Sequence, residues 1–175
     1  MLETFEPDIF KKTYMSYYRK WCVAWGVIMV LLVALIVTSY TINSESQIIA
    51  TGLFVIDRIA LGILTGYGLI GIAVVYAFAI LAMSPGQALG IIAIGGINAC
   101  GIIAIGVNAG GIIALGINAY GVIAIGPHAW GIYTLSNSEF GKGRYRFSPN
   151  HQDEQAVKFF THFMPKLNTA FSPNS

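Results

Sequence analysis

The chain has 175 residues, of which 55% are hydrophobic and 10% are charged, and its net charge is +2. A soluble domain carries about 25% charged residues, so this composition excludes an ordinary soluble globule, and its hydrophobicity excludes a disordered chain. The charged residues all lie in 1–58 and 139–175, none lies between Ile59 and Ser138, and no basic stripe suggests a nucleic-acid partner. The composition therefore predicts an integral membrane protein with the lipid bilayer as its first partner.

Residues 1–20 are predicted to form an amphipathic segment at the membrane interface. Apolar and aromatic side chains recur there at spacings of three and four, which places on one face of a helix Ile9, Phe10, Thr13, Tyr14, Tyr17, Tyr18 and Trp21. Tyr and Trp next to Lys and Arg suit the headgroup region of a bilayer. We interpret this face as an interfacial belt, with an aromatic ligand site as the alternative.

Residues 21–40 are predicted to form a transmembrane helix. This stretch has no charge, and about 20 helical residues span the roughly 30 Å hydrocarbon core of a bilayer. No A-x-A-like cleavage site follows it, which favours an uncleaved anchor over a signal peptide. Lys11, Lys12, Arg19 and Lys20 precede the segment, so the positive-inside bias places the N-terminus in the cytoplasm.

Residues 41–58 are predicted to form a loop and residues 59–83 a second transmembrane helix, which returns the chain to the cytoplasm. Gly62 and Gly66 form a GxxxG pair within it and are candidate helix-packing residues. Residues 52–66 also resemble a degenerate set of the repeats that follow. In that alternative the helix begins near Tyr67.

A repeat of five residues dominates the centre of the chain. From Gly101 to Gly131 each pentad begins with Gly, and Ala holds the fourth place up to Ala129. A period of five scatters Gly around a helix, whereas four residues of strand followed by a Gly corner explain every position. Pentads alternate in type, so the unit is ten residues. The pattern predicts a short Gly-rich β-solenoid over 88–138 with four pentads, and hence four sides, in each coil.

Strand alternation predicts that the second and fourth places of each pentad face the interior and that the third and fifth face outward. Two opposed outer faces then carry paired Ile or Leu. The other two carry polar residues, with Asn98 beneath Asn118 on one face and Asn108 beneath His128 on the other. These candidate ladder residues are Asn98, Asn108, Asn118 and His128. Stacked Asn amides can hydrogen-bond along such a ladder. No metal or cofactor is predicted, because no second His or carboxylate recurs in register with His128.

The pentad period resembles that of pentapeptide-repeat β-solenoids. The pattern as a whole also resembles glycine-rich repeat integral membrane proteins of bacteria, which have no assigned activity. The first resemblance is one of period only, because here Ile or Val stands two places before Ala, whereas that family places a large apolar residue two places after it. The resemblance implies a coil architecture in a bacterial inner membrane and transfers no activity.

Residues 139–175 are predicted to form a basic cytoplasmic tail. Charge returns at Glu139, and Ser148 and Pro149 can start an amphipathic helix that Pro165 ends. We expect this helix to cap the last coil or to lie on the membrane surface. Both termini are then cytoplasmic.

No constellation of residues supports catalysis, so the chain is not predicted to be an enzyme. The predicted function is that of a membrane-anchored structural or assembly protein whose solenoid forms an oligomerising scaffold, as a homo-oligomer or as a subunit of a larger complex. The alternative is a pore or transport component that uses the Asn and His positions as a polar path.

Overall fold

The computed structural model describes residues 4–42, 49–138 and 140–172. A long apolar helix is followed by a β-solenoid and a C-terminal helix. The elements in chain order are β1 (Thr4–Phe5), α1 (Pro7–Ile42), β2 (Ile49–Ile56), β3 (Ile59–Ala73), β4 (Tyr76–Ser84), β5 (Gln87–Gly95), β6 (Asn98–Ile125), β7 (His128–Leu135), β8 (Lys142–Ser148), β9 (His151–Gln152), α2 (Glu154–Phe163), the 3₁₀ helix η1 (Pro165–Ala170) and β10 (Phe171–Ser172). Residues 43–48 of the predicted loop and Glu139 lie outside the described residues, and residues 49–56 of that loop form strand β2 instead.

Each coil of the solenoid contains two pentads, so the four-sided coil predicted from the repeat is wrong. Parallel pairing stacks residues ten to twelve positions apart, as in Gln87 on Asn98, Asn118 on His128 and Trp130 on Lys142. One pentad forms each long side, and the chain reverses direction at both Gly corners. The alternation of pentad types fits a ten-residue coil as well as a twenty-residue one, and only the direction of the bends distinguishes them.

Residues 59–83, predicted as a second transmembrane helix, form β3 and most of β4 instead. The alternative interpretation of 52–66 as repeat coils agrees with the structure, in which β2 and β3 pair in parallel. Coils in this region contain an extra residue, as in the pairing of Tyr76 with Gln87, and this shift conceals the pentads. The solenoid therefore begins at Ile49 and has about nine turns. At about 4.8 Å per turn it is roughly 40 Å tall, and it is not short.

Two columns of alanine fill the narrow interior. One Ala from each side of the coil points inward, and all of them are buried: Ala77, Ala82, Ala88, Ala93, Ala99, Ala104, Ala109, Ala114, Ala119, Ala124 and Ala129. The second place of the pentad does not join them, contrary to prediction, because Ile102, Ile112 and Val122 are exposed. These residues follow the Gly corner, where the chain bends and strand alternation is interrupted.

The solenoid has two broad outer faces. Face A carries the apolar pairs, which were predicted on two opposed faces but lie in one stack: Ile70/Ile72, Leu81/Met83, Ile92/Ile94, Ile103/Ile105, Ile113/Leu115, Ile123/Ile125 and Tyr133/Leu135. Face B is the opposite side and carries the Asn residues. The apolar pairs come together because every second pentad returns to the same side of a two-sided coil.

Helix α1 lies lengthwise along face A. Leu32 and Ile36 pack against Leu61 and Ile72 in the first coils, whereas Phe10 packs at the other end, in the last coils. With 36 residues the helix is about 54 Å long, enough to follow the whole solenoid. The aromatic face predicted as an interfacial belt is thus in part a packing surface, because Phe10 and Tyr14 are buried against the protein.

The C-terminal segment closes the last coil. Strand β9 pairs antiparallel with β8, and α2 and η1 bury Phe160 and Leu167 in one cluster with Leu135 and Phe147. Strand β1 pairs with β10, and Thr4 lies opposite Ser172. The first and last described residues therefore lie together at this capped end of the solenoid.

Charged residues and apolar surface are segregated along the long axis. Every Lys and Arg except Arg58 belongs to the N-terminal half of α1 or to the segments of the capped end. Arg58 and Asp57 lie between β2 and β3, at the opposite end. Between the ends the outer side of α1 is apolar and open, with Val30 70% exposed. Among the described residues, one helix is long and apolar enough to cross a membrane.

Candidate functional site

Face B carries a column of hydrogen-bonded amides. The side-chain Nδ2 of Asn108 donates to Oδ1 of Asn98 at 2.9 Å, and Nδ2 of Asn118 donates to Oδ1 of Asn108 at 2.7 Å. The column forms because strand alternation points the third residue of every second pentad outward on the same side. The four candidate ladder residues therefore lie in one line, with His128 paired in register above Asn118. Their predicted placement on two separate faces is wrong, because a coil of two pentads returns the chain to the same side every ten residues.

The column continues before residue 88, where the solenoid was predicted to begin, and into the predicted helix of residues 59–83. Parallel pairing stacks Thr65 under Tyr76, Tyr76 under Gln87 and Gln87 under Asn98. From Thr65 to His128 the column has seven levels, which at about 4.8 Å per step extend over roughly 30 Å. The signal that could have found these residues is their spacing of eleven, which continues the spacing of ten beyond Asn98.

A second column on face B is aromatic at both ends and small in the middle. The rings of Tyr67 and Phe78 stack with centroids 5.0 Å apart, and those of Tyr120 and Trp130 stack at 4.6 Å. Between these pairs lie Leu89, the exposed thiol of Cys100, and Gly110, around whose Cβ position there is open space. The smallest residues of this column, Cys100 and Gly110, therefore lie between the two aromatic pairs.

His128 sits among aromatic rings. Its ring lies 6.0 Å from that of Trp130 and 5.6 Å from that of Phe140. His151 and His162 belong to the C-terminal segment, and no three His, Cys, Asp or Glu side chains converge within the described part of the chain. The surroundings of His128 thus resemble a stacking site.

The candidate helix-packing residues Gly62 and Gly66 have a different role from the one predicted. Both lie in strand β3. A Cβ at Gly62 would collide with the carbonyl oxygen of Thr65, so glycine is needed there for the bend of the backbone. The GxxxG spacing arises from degenerate pentads and brings no helices together.

Comparison with known protein families, with curated proteins and with solved structures gives no significant match for this chain. Its function must be argued from the geometry of the molecule.

Proposed function

We propose that the protein is a structural scaffold in which α1 and the solenoid cross a bilayer side by side and face B associates with a second copy. The observation that carries this proposal is face B itself, a polar and aromatic surface that the chain leaves uncovered while α1 covers face A. Polar side chains within a membrane face protein or a water-filled cavity. A face of this kind needs a protein neighbour.

The distribution of charge and apolar surface supports insertion of the whole body. The solenoid is uncharged from Ile59 to Ser138, and its exposed edges carry side chains such as Ile91, Ile102 and Ile132. Its height of roughly 40 Å exceeds the 30 Å of the hydrocarbon core, so both ends reach the headgroups. The basic capped end then lies in the cytoplasm by the positive-inside bias.

The hydrogen bonding of the backbone also suits a membrane. Lipid excludes structures that leave N–H and C=O groups unpaired, and each coil here pairs with the coils before and after it. The corners are bonded as well, since the N–H of Gly96 donates to the carbonyl of Ser84 at 2.7 Å and that of Asn108 to the carbonyl of Ile97 at 2.9 Å. The sheet edges of the solenoid lie at its two ends, which face water in the proposed orientation, and the C-terminal segment covers the edge at the capped end.

A second copy suits face B for two reasons, the equal membrane depth of equivalent residues and the hydrogen-bonding groups of the Asn side chains. Two copies with one membrane orientation place equivalent residues at equal depth, so amides meet amides and rings meet rings. An Asn amide has two N–H donors and an oxygen with two lone pairs, and the described bonds of Asn108 use one of each. The remaining groups can pair with the same groups of the partner.

Cross-linking through Cys100 tests this association. Cys100 is exposed on face B, and the other cysteine, Cys22, lies on α1. In the Cys22→Ser background a short bis-maleimide applied to native membranes should give a covalent dimer, which the added change Cys100→Ser should abolish. The matched control Cys100→Ser, which keeps Cys22, should give none. A chain that stays monomeric by light scattering in nanodiscs and gives no Cys100 product would contradict the proposal.

A second candidate function, a polar path for transport, rests on the continuity of the same column over the height of the solenoid. Such a path would run between two apposed faces B, because alanine fills the interior of each solenoid. Replacing Asn98, Asn108, Asn118 and His128 with Ala should then abolish flux into liposomes. Equal flux through both forms, or none through either, would exclude this candidate.

A further inference from the structure

A basic cleft lies between the N-terminal half of α1 and η1. Three lysines, Lys12, Lys20 and Lys166, line it, and no acidic residue does. Its other walls are mainly hydroxyl side chains, those of Thr13, Ser16, Tyr17 and Thr169, and it encloses about 430 Å³. Within the described residues none of the three lysines forms an ion pair. The cleft thus gathers three positive charges and several hydroxyl donors, and no ion pair among the described residues neutralises these charges.

An apolar cavity of about 110 Å³ adjoins this cleft, and Tyr17 lines both. Its walls come from α1, face A and the C-terminal cap, and they include Trp21, Leu115, Ile125, Met164 and Leu167. This volume is somewhat below the ~150 Å³ cavity that accepts a benzene ring, so it has room for a short run of methylene groups. The hydroxyl of Tyr14, which also lines the cavity, is buried and has no hydrogen-bond partner among the described residues.

We infer that the cleft and the cavity together bind one anionic phospholipid, with its phosphate on the three lysines and part of an acyl chain in the cavity. The inference rests on the membrane insertion proposed above. Lys20 immediately precedes the apolar stretch that begins at Trp21, which is the level of the headgroups. Leu115 lies two coils further from the capped end than Leu135, so the cavity extends from the headgroup level toward the bilayer centre.

The combination of the two spaces identifies the ligand. Lysine ammonium groups near a membrane surface attract anionic lipids, and phosphate oxygens accept hydrogen bonds from hydroxyl and ammonium donors. A free phosphate ion would use the cleft and leave the cavity empty. A zwitterionic lipid would bring the cationic group of its headgroup close to the three lysines, which would repel it.

Lipid binding is tested on the full chain in detergent by native mass spectrometry with phosphatidylglycerol and phosphatidylcholine. The wild type should retain phosphatidylglycerol in preference. The triple variant Lys12→Gln, Lys20→Gln, Lys166→Gln should weaken phosphatidylglycerol binding by about tenfold or more. The matched triple Lys11→Gln, Arg19→Gln, Lys142→Gln removes the same charge from exposed positions outside the cleft, and it should change binding by less than about twofold.

Equal losses in the two triple variants would overturn the site in favour of a diffuse basic surface. Displacement of the lipid by millimolar inorganic phosphate would assign the cleft to a free anion and would also overturn the proposal. Should the cleft variant fail to fold, a phosphatidylglycerol with a diazirine at the end of one acyl chain gives an independent test on the wild type. It should label residues 14–21 or 164–167, and labelling confined to other segments would overturn the proposal.

The Cys100 cross-link and the lipid assay separate the two proposals. Lipid selectivity is measured on the single chain in detergent and does not require association through face B. A cleft variant that loses phosphatidylglycerol but keeps its Cys100 dimer supports the lipid site. A wild type that binds the lipid but gives no dimer contradicts the face B interface alone.

Discussion

Glycine and alanine occupy different positions in each coil. Alanine fills the interior, where Ala104, Ala114 and Ala124 are fully buried. Glycine occupies the corners because a Cβ there would collide with a carbonyl oxygen of the preceding coil, as at Gly121 above Gly111. None of the glycines has a φ between +20° and +160°, so crowding of the backbone, and not a left-handed conformation, accounts for them.

The adjacent glycines Gly110 and Gly111 give a matched pair of substitutions. A Cβ at Gly111 would collide with the carbonyl oxygen of Gly101, whereas a Cβ at Gly110 meets nothing within 4 Å. Gly111→Ala should lower the free energy of unfolding by about 1–3 kcal/mol. Gly110→Ala should change it by under about 1 kcal/mol, in the stabilising direction, because alanine restricts the unfolded chain. Denaturant unfolding in detergent measures both, and equal losses would argue against stacked corners.

The amide ladder predicts unequal effects of removing its members. Asn108 is bonded to both neighbours, and Asn98 is bonded to Asn108. Asn108→Ala should therefore destabilise the protein by about 2 kcal/mol and Asn98→Ala by about 1 kcal/mol. Thermal and denaturant unfolding provide the comparison. Identical small effects would show that the amides bond to solvent or lipid groups instead.

The residues of the ladder can be recognised from their recurrence in the sequence, but which of them stack on each other depends on the number of pentads in a coil. The recurrence of Asn98, Asn108 and Asn118 predicted stacked amides, but on two separate faces and at a spacing of twenty. The structure instead bonds them on one face at a spacing of ten, because the coil contains two pentads and not four. Ile112 was predicted to face the interior but is exposed. The prediction assumed that side chains alternate through the Gly corner as they do in a straight strand. The bend at the corner is set by contacts between coils, which a single pentad does not reveal.

The coil is the element that sets the architecture. Two pentads bring the chain back to the same side, so ten residues advance the solenoid by one turn without changing which residues lie on face A or face B. An extra residue can be accommodated at a corner, as at Ser84, whose buried hydroxyl donates to the carbonyl of Val74 and accepts from the N–H of Gly86. Corners therefore tolerate changes in length that the long sides do not.

Deletions distinguish a coil of two pentads from one of four. Removing residues 101–110 takes out one whole turn and keeps every later residue on its own face. Removing residues 101–105 exchanges faces A and B in all later coils and places amides under α1. The ten-residue deletion should give a folded protein of reduced melting temperature, and the five-residue deletion should not fold.

Circular dichroism and the yield of monodisperse protein measure this outcome. A ten-residue deletion that fails while a twenty-residue deletion succeeds would restore the four-sided coil.

The apolar run at 59–83 shows where sequence patterns stop being informative. A long uncharged segment is equally compatible with a transmembrane helix and with buried strands, and length favoured the helix. Tyr67 and Phe78 in this run stack at a spacing of eleven, as neighbouring coils do. The decisive information is the pairing of β3 with β4 along the solenoid axis, which is a property of the assembled sheet.

The whole molecule is a helix and a solenoid of similar length held side by side. Helix α1 accounts for one crossing of the proposed membrane, and the solenoid returns the chain coil by coil to the end where β1 meets β10. The second crossing that sequence analysis assigned to a helix is thus proposed for a β structure. The similar lengths of the two parts explain why the charges collect at the ends.

Accessibility to a membrane-impermeant maleimide tests this arrangement. Single cysteines replace Lys142, Arg58 and Ile112 in a background of Cys22→Ser and Cys100→Ser. In sealed vesicles, Lys142→Cys should be labelled from the cytoplasmic side, Arg58→Cys from the opposite side, and Ile112→Cys from neither, because Ile112 lies at mid-height on an exposed edge. Detergent should expose all three. Rapid labelling of Ile112→Cys in intact vesicles would place the solenoid outside the lipid.

The pairing of Thr4 with Ser172 has a consequence for biosynthesis. In the proposed orientation α1 inserts first, the solenoid starts at the far side with β2, and each new coil adds to the edge that faces the ribosome. Lateral pairing with the wrong chain is therefore limited to one strand edge at any moment of translation. Strand β1 precedes α1 and the solenoid in the chain but pairs with β10, so its residues form these contacts only after the cap has been translated.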